Sequence, residues 1–366
     1  MNGGAMQGLR VMIMAGGTGG HVYPALAVAR HLADQGAQVT WLGTAQGLEA
    51  RVVPEAGFAL DFIPVRPVRG TGARARASAL ARMLQALWEA LRVLRRRRPQ
   101  VVLGLGGFAS GPGGVAAWLL RIPLVIHEQN AVPGATNRIL SRLAARVLTG
   151  FPEAFPGRAN AVYTGNPVRA EICTLPVPEL RFGGRRGPLR LLVLGGSQGA
   201  AALNETVPRA LGLLEPELRP EVWHQTGRDQ LDATRAAYGE AGLEARLEPF
   251  IEDMAEAWAW ADLAVCRSGA MTVSELAAAG LGAVLVPYPH AVDDHQTRNA
   301  GHLAAAGAAR VMAQDNFTPR TLAEQLQELF SAGRKRLLRM AQAARRLARP
   351  DATEVVARVC LEVSHG

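Results

Sequence analysis

Two glycine-rich turns lie about half a chain apart, and each follows an apolar run and precedes a stretch of helical spacing. The first is Ala15-Gly-Gly-Thr-Gly-Gly-His21; the second is Gly195-Gly-Ser-Gln-Gly199. A strand that stops at glycines and restarts as a helix aims backbone N–H groups at an anion, so both turns are candidate phosphate loops. Thr18 adds a hydroxyl to the first, and His21 stands where the next helix begins. A tight turn with a capping histidine is the plainer reading of the same residues.

Four further clusters could carry chemistry. Six glycines fall within Gly104-Leu-Gly-Gly-Phe-Ala-Ser-Gly-Pro-Gly-Gly114, enough to make room for a bulky anionic substrate or to form a flexible loop. His127-Glu-Gln-Asn130 follows an apolar strand. That is where ligand contacts gather in a parallel sheet, although the same side chains could instead cap the next helix. Arg267-Ser-Gly-Ala-Met-Thr-Val-Ser-Glu275 also opens a helix after a strand. Its N–H groups suit a diphosphate, and Glu275, a turn further on, could accept two bonds from a ribose diol or simply complement the helix dipole. Residues 290–299 include Asp293, Asp294 and His295, but neighbours on one loop seldom face one ion. The amides of Gln296 and Asn299 suit sugar hydroxyls better than a metal.

The elements that must hold these residues alternate. Strands are expected at 10–14, 38–42, 59–63, 101–104, 123–127 and 145–148, then at 190–194, 221–224, 245–249, 263–266 and 283–287. Helical periodicity lies between them, so each half predicts a parallel α/β sheet. Two Rossmann-like domains facing across a cleft are expected, 1–168 and 169–349. The junction lies near Gly165-Asn-Pro-Val168, and a final helix within 350–366 could cross back to the first domain.

Composition narrows the classes. The chain has 366 residues, 49% of them apolar, which fits two globular domains. No run is long and apolar enough to span a membrane, and the first residues do not read as a signal peptide, so a cytoplasmic location is expected. Cys173, Cys266 and Cys360 match neither zinc spacing nor a disulfide framework. Of the 40 basic residues only Lys335 is a lysine, which excludes a Walker-type loop. No acid stands at the end of the second strand, Trp41-Leu-Gly-Thr, as a dinucleotide-binding oxidoreductase requires.

The formal charge of +9 concentrates between Arg66 and Arg98, which hold ten arginines and a single acid, Glu89. A helix over 77–94 carries Leu80, Leu84, Leu87, Trp88 and Leu91 beside Arg82, Arg92, Arg95 and Arg96. It reads as a membrane-surface helix or as a packed helix with a solvated basic face. Nucleic acid is not expected as a partner, because no binding module is visible and aromatics are only 5%.

Taken in order, the motifs at 16–21, 106–114, 127–130, 165–169, 195–199 and 266–275 resemble the MurG family, the N-acetylglucosaminyltransferases that complete lipid II in peptidoglycan synthesis. The resemblance spans nearly the whole chain. It implies a GT-B fold and inverting transfer of GlcNAc from UDP-GlcNAc to the 4-hydroxyl of MurNAc on lipid I, an undecaprenyl-diphosphate-linked acceptor. The enzyme would work peripherally at an anionic membrane surface on its cytoplasmic face, without a cofactor or protein-bound metal.

The resemblance also distributes roles. The donor would meet Ser197, the helix opening at Ala270, Met271 and Thr272, Glu275 at the ribose, the Ile251 backbone at uracil, and Arg169. Gln296, Asn299 and Asn130 would read the sugar. Thr18, Gly19 and Gly20 would contribute to UDP-GlcNAc binding, the first loop with His21 would face the acceptor diphosphate and the reacting centre, and Gly106, Gly107 and Ser110 would stand on the acceptor side. Position 108 is Phe where many relatives have Tyr, so no hydroxyl role carries over there. Direct displacement needs a base, and His21 and Glu128 are the two candidates. A UDP-GlcNAc 2-epimerase of the same fold is the rival, and it would need no basic apolar helix.

Overall fold

The computed structural model describes residues 6–65, 73–196 and 199–365, and their side chains except at 73–79 and 292. The chain divides into two compact units. One comprises Met1–Arg169 with Arg349–Gly366, and the other Ala170–Ala348.

In the first unit the elements run β1 (Arg10–Ala15), α1 (Gly19–Asp34), β2 (Gln38–Gly43), α2 (Glu49–Glu55), β3 (Ala59–Phe62), α3 (Ala73–Arg97), β4 (Val101–Gly106), α4 (Ser110–Leu119), β5 (Leu124–Glu128), α5 (Ala135–Leu140), β6 (Arg146–Thr149) and β7 (Ala161–Tyr163). The strands are all parallel, in the order β3-β2-β1-β4-β5-β6-β7. Successive side chains of a strand point to opposite faces, which divides this core in two. Val11, Ile13, Leu103 and Val125 face one layer with α1; Met12, Met14, Val102 and Ile126 face the other with α3 and α4. Helix α4 begins Ser-Gly-Pro-Gly-Gly, a poor helix former that packing overrides. A Cβ on Gly113 would lie 2.2 Å from the Met14 sulfur, and one on Gly114 would lie 2.7 Å from Leu140, so only glycine lets α4 approach this closely.

The second unit runs α6 (Ala170–Cys173), α7 (Pro178–Phe182), β8 (Arg190–Leu194), α8 (Ala201–Gly212), β9 (Glu221–Gln225), α9 (Leu231–Glu240), β10 (Arg246–Glu248), α10 (Met254–Trp260), β11 (Leu263–Cys266), α11 (Ala270–Ala279), β12 (Ala283–Leu285), α12 (His295–Ala305), β13 (Ala309–Val311), α13 (Pro319–Ser331) and α14 (Gly333–Arg346). Its parallel order is β10-β9-β8-β11-β12-β13. Helix α15 (Ala352–Ser364) then returns to the first unit, where Val356, Ala357, Val359 and Cys360 join the α1 layer.

The expected strands are present, and β7 and β13 were not anticipated. Each has three residues, too few for a periodic signal against the neighbouring turns. Strand order reverses between β1 and β4 in the first unit and between β8 and β11 in the second. Ligands of open α/β sheets bind beyond the carboxyl ends of strands at such reversals. The turns at 15–21 and 106–109 flank the first reversal, and those at 195–199 and 267–269 flank the second.

Candidate active site

At the first reversal the two glycine turns touch backbone to backbone. Gly107 has φ +86°, and a Cβ there would sit 2.3 Å from the Gly16 carbonyl oxygen. Gly106 has φ +104°, and its missing Cβ leaves the space that the His21 ring fills: the added atom would lie 2.8 Å from His21 Cε1 and 2.9 Å from Nδ1. These two glycines therefore make room for a backbone and an imidazole. Ser110 is also turned inward. Its buried hydroxyl lies within hydrogen-bond distance of the carbonyls of Met14 (3.0 Å) and Gly106 (2.7 Å), bridging β1 and β4.

The first loop carries its own carboxylate. Glu49, fully buried, accepts from Gly17 N (2.9 Å), Thr44 N (2.9 Å) and Thr44 Oγ1 (2.7 Å). Sequence reading missed it, because an acid at the start of a short helix looks like ordinary dipole compensation. Thr18, Gly19 and Gly20 lie at the N-terminus of α1, with Thr18 and Gly20 exposed. His21 Nδ1 lies 3.1 Å from Gln129 Oε1.

At the end of β5, Glu128 is spoken for. Oε1 accepts from the Asn130 backbone N (3.0 Å) and Nδ2 (3.2 Å), and Oε2 from Gly134 N (3.1 Å) and Asn137 Nδ2 (2.9 Å). A carboxylate offers about four acceptor sites, and with these four bonds the buried group organises the turn into α5. Asn130 stands braced against Glu128. His127 is fully buried, with Nε2 3.0 Å from the Gly165 carbonyl, and burial lowers its pKa to about 4. The half-buried Arg169 ends this unit, its guanidinium 6.0 Å from the Tyr23 ring centroid.

In the second unit α11 opens behind Gly269, which supplies no side-chain cap, so the first turn at Ala270, Met271 and Thr272 presents main-chain N–H groups. Helix α13 of the same unit, by contrast, closes its own N-terminus with a Thr318–Thr321 capping box. Arg267 turns away from α11: it donates to the carbonyls of Val286 and Pro287 and to Gln314 Oε1, and burial lowers its pKa. Glu275 is 9% exposed and accepts from Trp258 Nε1 at 3.1 Å, so it belongs to the packed interior more than its position one turn into a helix suggests.

The Ile251 N–H is held by Gln225 Oε1 at 2.9 Å, and Gln225 Nε2 donates to the Gly196 carbonyl at 2.9 Å. No motif flagged Gln225, which ties the Ile251 main chain to the glycine turn. Ser197 lies outside the described residues. Gln296 is half-buried and accepts from Tyr288 N (2.9 Å), whereas Asn299 is fully buried and donates to the Ser268 carbonyl (3.2 Å), beneath the loop rather than at its mouth. Among the described residues no group of three or more His, Cys, Asp or Glu side chains is arranged to hold a metal ion.

The apolar stripe of α3 splits in two. Leu80, Met83, Leu84 and Trp88 are exposed, while Leu87 and Leu91 pack against the core beside Ala90, Val93 and Leu94. Leu87 and Leu91, also expected at a membrane interface, are half-buried against this core. Arg96 and Arg97 both bond Asp61, and Arg95 and Arg92 are exposed, with Arg92 4.6 Å above the Trp88 ring. Helix α4 packs on α3, and α5 on α4, adding exposed Trp118, Leu119 and Ile139 with Arg121, Arg138 and Arg142. Among the described residues no helix is long and apolar enough to cross a membrane.

Comparison with known proteins agrees with this layout. Residues 11–149 match the glycosyltransferase family 28 N-terminal domain, and residues 190–356 match the family 28 C-terminal domain. The chain is 58% identical over 352 residues to the UDP-N-acetylglucosamine–N-acetylmuramyl-(pentapeptide) pyrophosphoryl-undecaprenol N-acetylglucosamine transferase of Alkalilimnicola ehrlichii, covering 96% of this chain and 98% of that one. It is 54% identical to the protein of the same name from Marinobacter nauticus, with 98% of each covered. The crystal structure of Acinetobacter baumannii MurG superposes with a TM-score of 0.84 at 43% identity, over 97% of this chain and 99% of that one. With this identity running nearly end to end on a GT-B fold, the chain belongs to the MurG family of N-acetylglucosaminyltransferases.

Proposed function

We propose that this glycosyltransferase moves N-acetylglucosamine from UDP-N-acetylglucosamine to the 4-hydroxyl of N-acetylmuramic acid on lipid I, inverting the anomeric carbon and forming lipid II. The observation that carries the reading is the 58% identity, across 96% of the chain, to a transferase so named. The site geometry supports the individual roles. His21 takes the proton of the acceptor hydroxyl as its oxygen bonds to the anomeric carbon and the bond from that carbon to UDP breaks. The charge that develops on the departing diphosphate suits the uncapped first turn of α11, where Ala270, Met271 and Thr272 offer N–H groups without a metal. Glu275 can keep its bond to Trp258 and still accept from a ribose diol, since a carboxylate offers about four acceptor sites.

The acceptor's lipid stays in a bilayer, so the enzyme must come to it, and we assign that contact to the first unit. Exposed Leu84, Trp88 and Trp118 supply apolar insertion, and Arg95, Arg121 and Arg142 supply charge for anionic headgroups. Such a protein works peripherally on the cytoplasmic face. The deciding experiment follows UDP release from UDP-N-acetylglucosamine with and without a lipid-diphosphate N-acetylmuramyl acceptor. Release is expected only with the acceptor; release without it, or 2-epimerisation of the donor sugar, would overturn the assignment.

A further inference from the structure

We infer that Gln129 is a positioning residue that locks His21 in the one neutral tautomer able to act as a general base; the inference rests on reading His21 as that base. A neutral imidazole carries its hydrogen on one ring nitrogen and its lone pair on the other, and the hydrogen bond made by one nitrogen sets the role of its partner. In this protein the Nδ1 partner is the side-chain amide of Gln129, at 3.1 Å. An amide can present either its oxygen or its NH2, and the choice follows from its other neighbour. That neighbour is the His127 carbonyl oxygen, 3.4 Å from Gln129 Nε2, which can only accept. Turning the amide over would set two acceptor oxygens against each other. Gln129 therefore presents Oε1 to His21, Nδ1 must carry the hydrogen and donate it, and the lone pair is left on Nε2.

The surroundings hold this arrangement. Gln129 is 1% exposed, and its main-chain carbonyl accepts from Asn166 Nδ2 at 3.0 Å. The His21 ring lies in the space left by the absent Gly106 side chain, where any larger residue would strike it. The titratable and charged groups nearby are otherwise engaged. Glu49 on α2 bonds Gly17 and Thr44, Glu128 bonds Asn130, Gly134 and Asn137, His127 bonds Gly165, and Arg169 lies against Tyr23. None of these is the group at the ring nitrogen; that group is Gln129, which is neutral. In turnover the acceptor O–H bond breaks, its proton goes to Nε2, and the oxygen's electrons form the bond to the anomeric carbon while UDP leaves. Nδ1–H stays on Gln129 throughout, and Nε2 later returns its proton to solvent.

The test uses the full-length enzyme with 15N-labelled histidine. The His21 resonances, assigned by their loss in His21→Ala, should show hydrogen on Nδ1 and a bare Nε2 at a pH where the ring is neutral. Gln129→Met, similar in size but without a strong acceptor, should show mixed tautomers. Its kcat should fall on the order of tenfold or more, with KM for UDP-N-acetylglucosamine within about twofold of wild type. Gln129→Glu restores an acceptor and adds a charge, so it should recover turnover and move the acid limb of the pH–kcat profile up by about one unit. A role confined to folding predicts no such movement. Hydrogen on Nε2 in the wild type, or an unchanged tautomer and kcat in Gln129→Met, would overturn the inference. The wild-type spectrum and Gln129→Glu still decide the matter if Gln129→Met does not fold. Full turnover in His21→Ala is a separate failure: it removes the base reading and the catalytic half of this inference, whatever the tautomer.

Discussion

The two strand–glycine–helix turns look alike as sequence, yet the structure uses them differently. In the first unit the turn is packed from within: a buried carboxylate, Glu49, holds the Gly17 N–H, and the Gly107 backbone lies on Gly16. What stands out from it is a side chain, His21. In the second unit Gly199 closes on the Thr226 carbonyl, where a Cβ would lie 2.1 Å away, and the neighbouring α11 opens behind Gly269, which makes no side-chain cap. Glycine serves close packing in both places, but one turn mounts an imidazole while the other stands beside an uncapped helix end. Near-identical glycine patterns thus sit in different surroundings, one against a buried carboxylate and an imidazole, the other beside a helix whose N-cap glycine has no side chain.

Four experiments break or sharpen that contrast, from the largest effect down. If the first turn exists to mount His21, His21→Ala should lower kcat about a hundred- to ten-thousandfold while UDP-N-acetylglucosamine binding, measured by calorimetry, is nearly unchanged. Near-normal turnover with saturating acceptor would remove the distinction between the two turns.

The second experiment is a pH titration of stability. Each unit buries one neutral histidine beside its sheet: burial lowers the pKa of His127 to about 4 and that of His224 to about 3. In the unfolded chain both take up a proton near pH 6.5, while the folded chain resists until much lower pH. Stability is therefore complete above 6.5 and falls as pH drops toward 4, by about 3 kcal/mol or more per histidine. Hydrogen exchange followed separately in the two units at pH 7 and 4.5 should show both weakening. His224→Gln should flatten the response of the second unit alone, and a response in neither unit would refute the burial argument.

Third, Glu275→Ala should weaken UDP binding by about 1.5–3 kcal/mol and also lower the stability of the second unit, because Trp258 Nε1 loses its acceptor. Glu275→Gln should keep most of that stability, so UDP affinity matching wild type in both variants would exclude a ribose contact. The smallest effect per residue concerns the α3 surface. Replacing Arg95 or Trp88 with glutamine should reduce sedimentation with anionic vesicles, by about 1 kcal/mol for the charge, and spare activity on a water-soluble acceptor. Substituting the core-packed Leu87 should instead lower stability.

The sheets were legible because fully buried parallel strands leave long apolar runs between glycine turns. The order of motifs pointed to the right family before any geometry was known. Three things were not legible. The network around Glu128 was hidden, because type and place in a motif say nothing about which N–H groups surround a carboxylate. The leucines of α3 formed one stripe on paper, and only the sheet beneath showed which edge is core. Gln129 was noticed only as one of four polar residues in a motif and Gln225 not at all, since an amide has two chemically opposite ends and its meaning lies in which way it faces.

Helix α15 gives the molecule an order of assembly. Its Val356, Ala357 and Cys360 fill the layer beside Val22, Ala25 and Ala29 of α1, yet they are made only after the whole of the second unit. During synthesis, domains fold as units as the chain emerges, N-terminal first. The second unit has all its strands and helices in hand before α15 is translated. The first unit, begun earlier, must wait with one side of its α1 layer uncovered until the second unit has been made. The unit that starts first is therefore completed last.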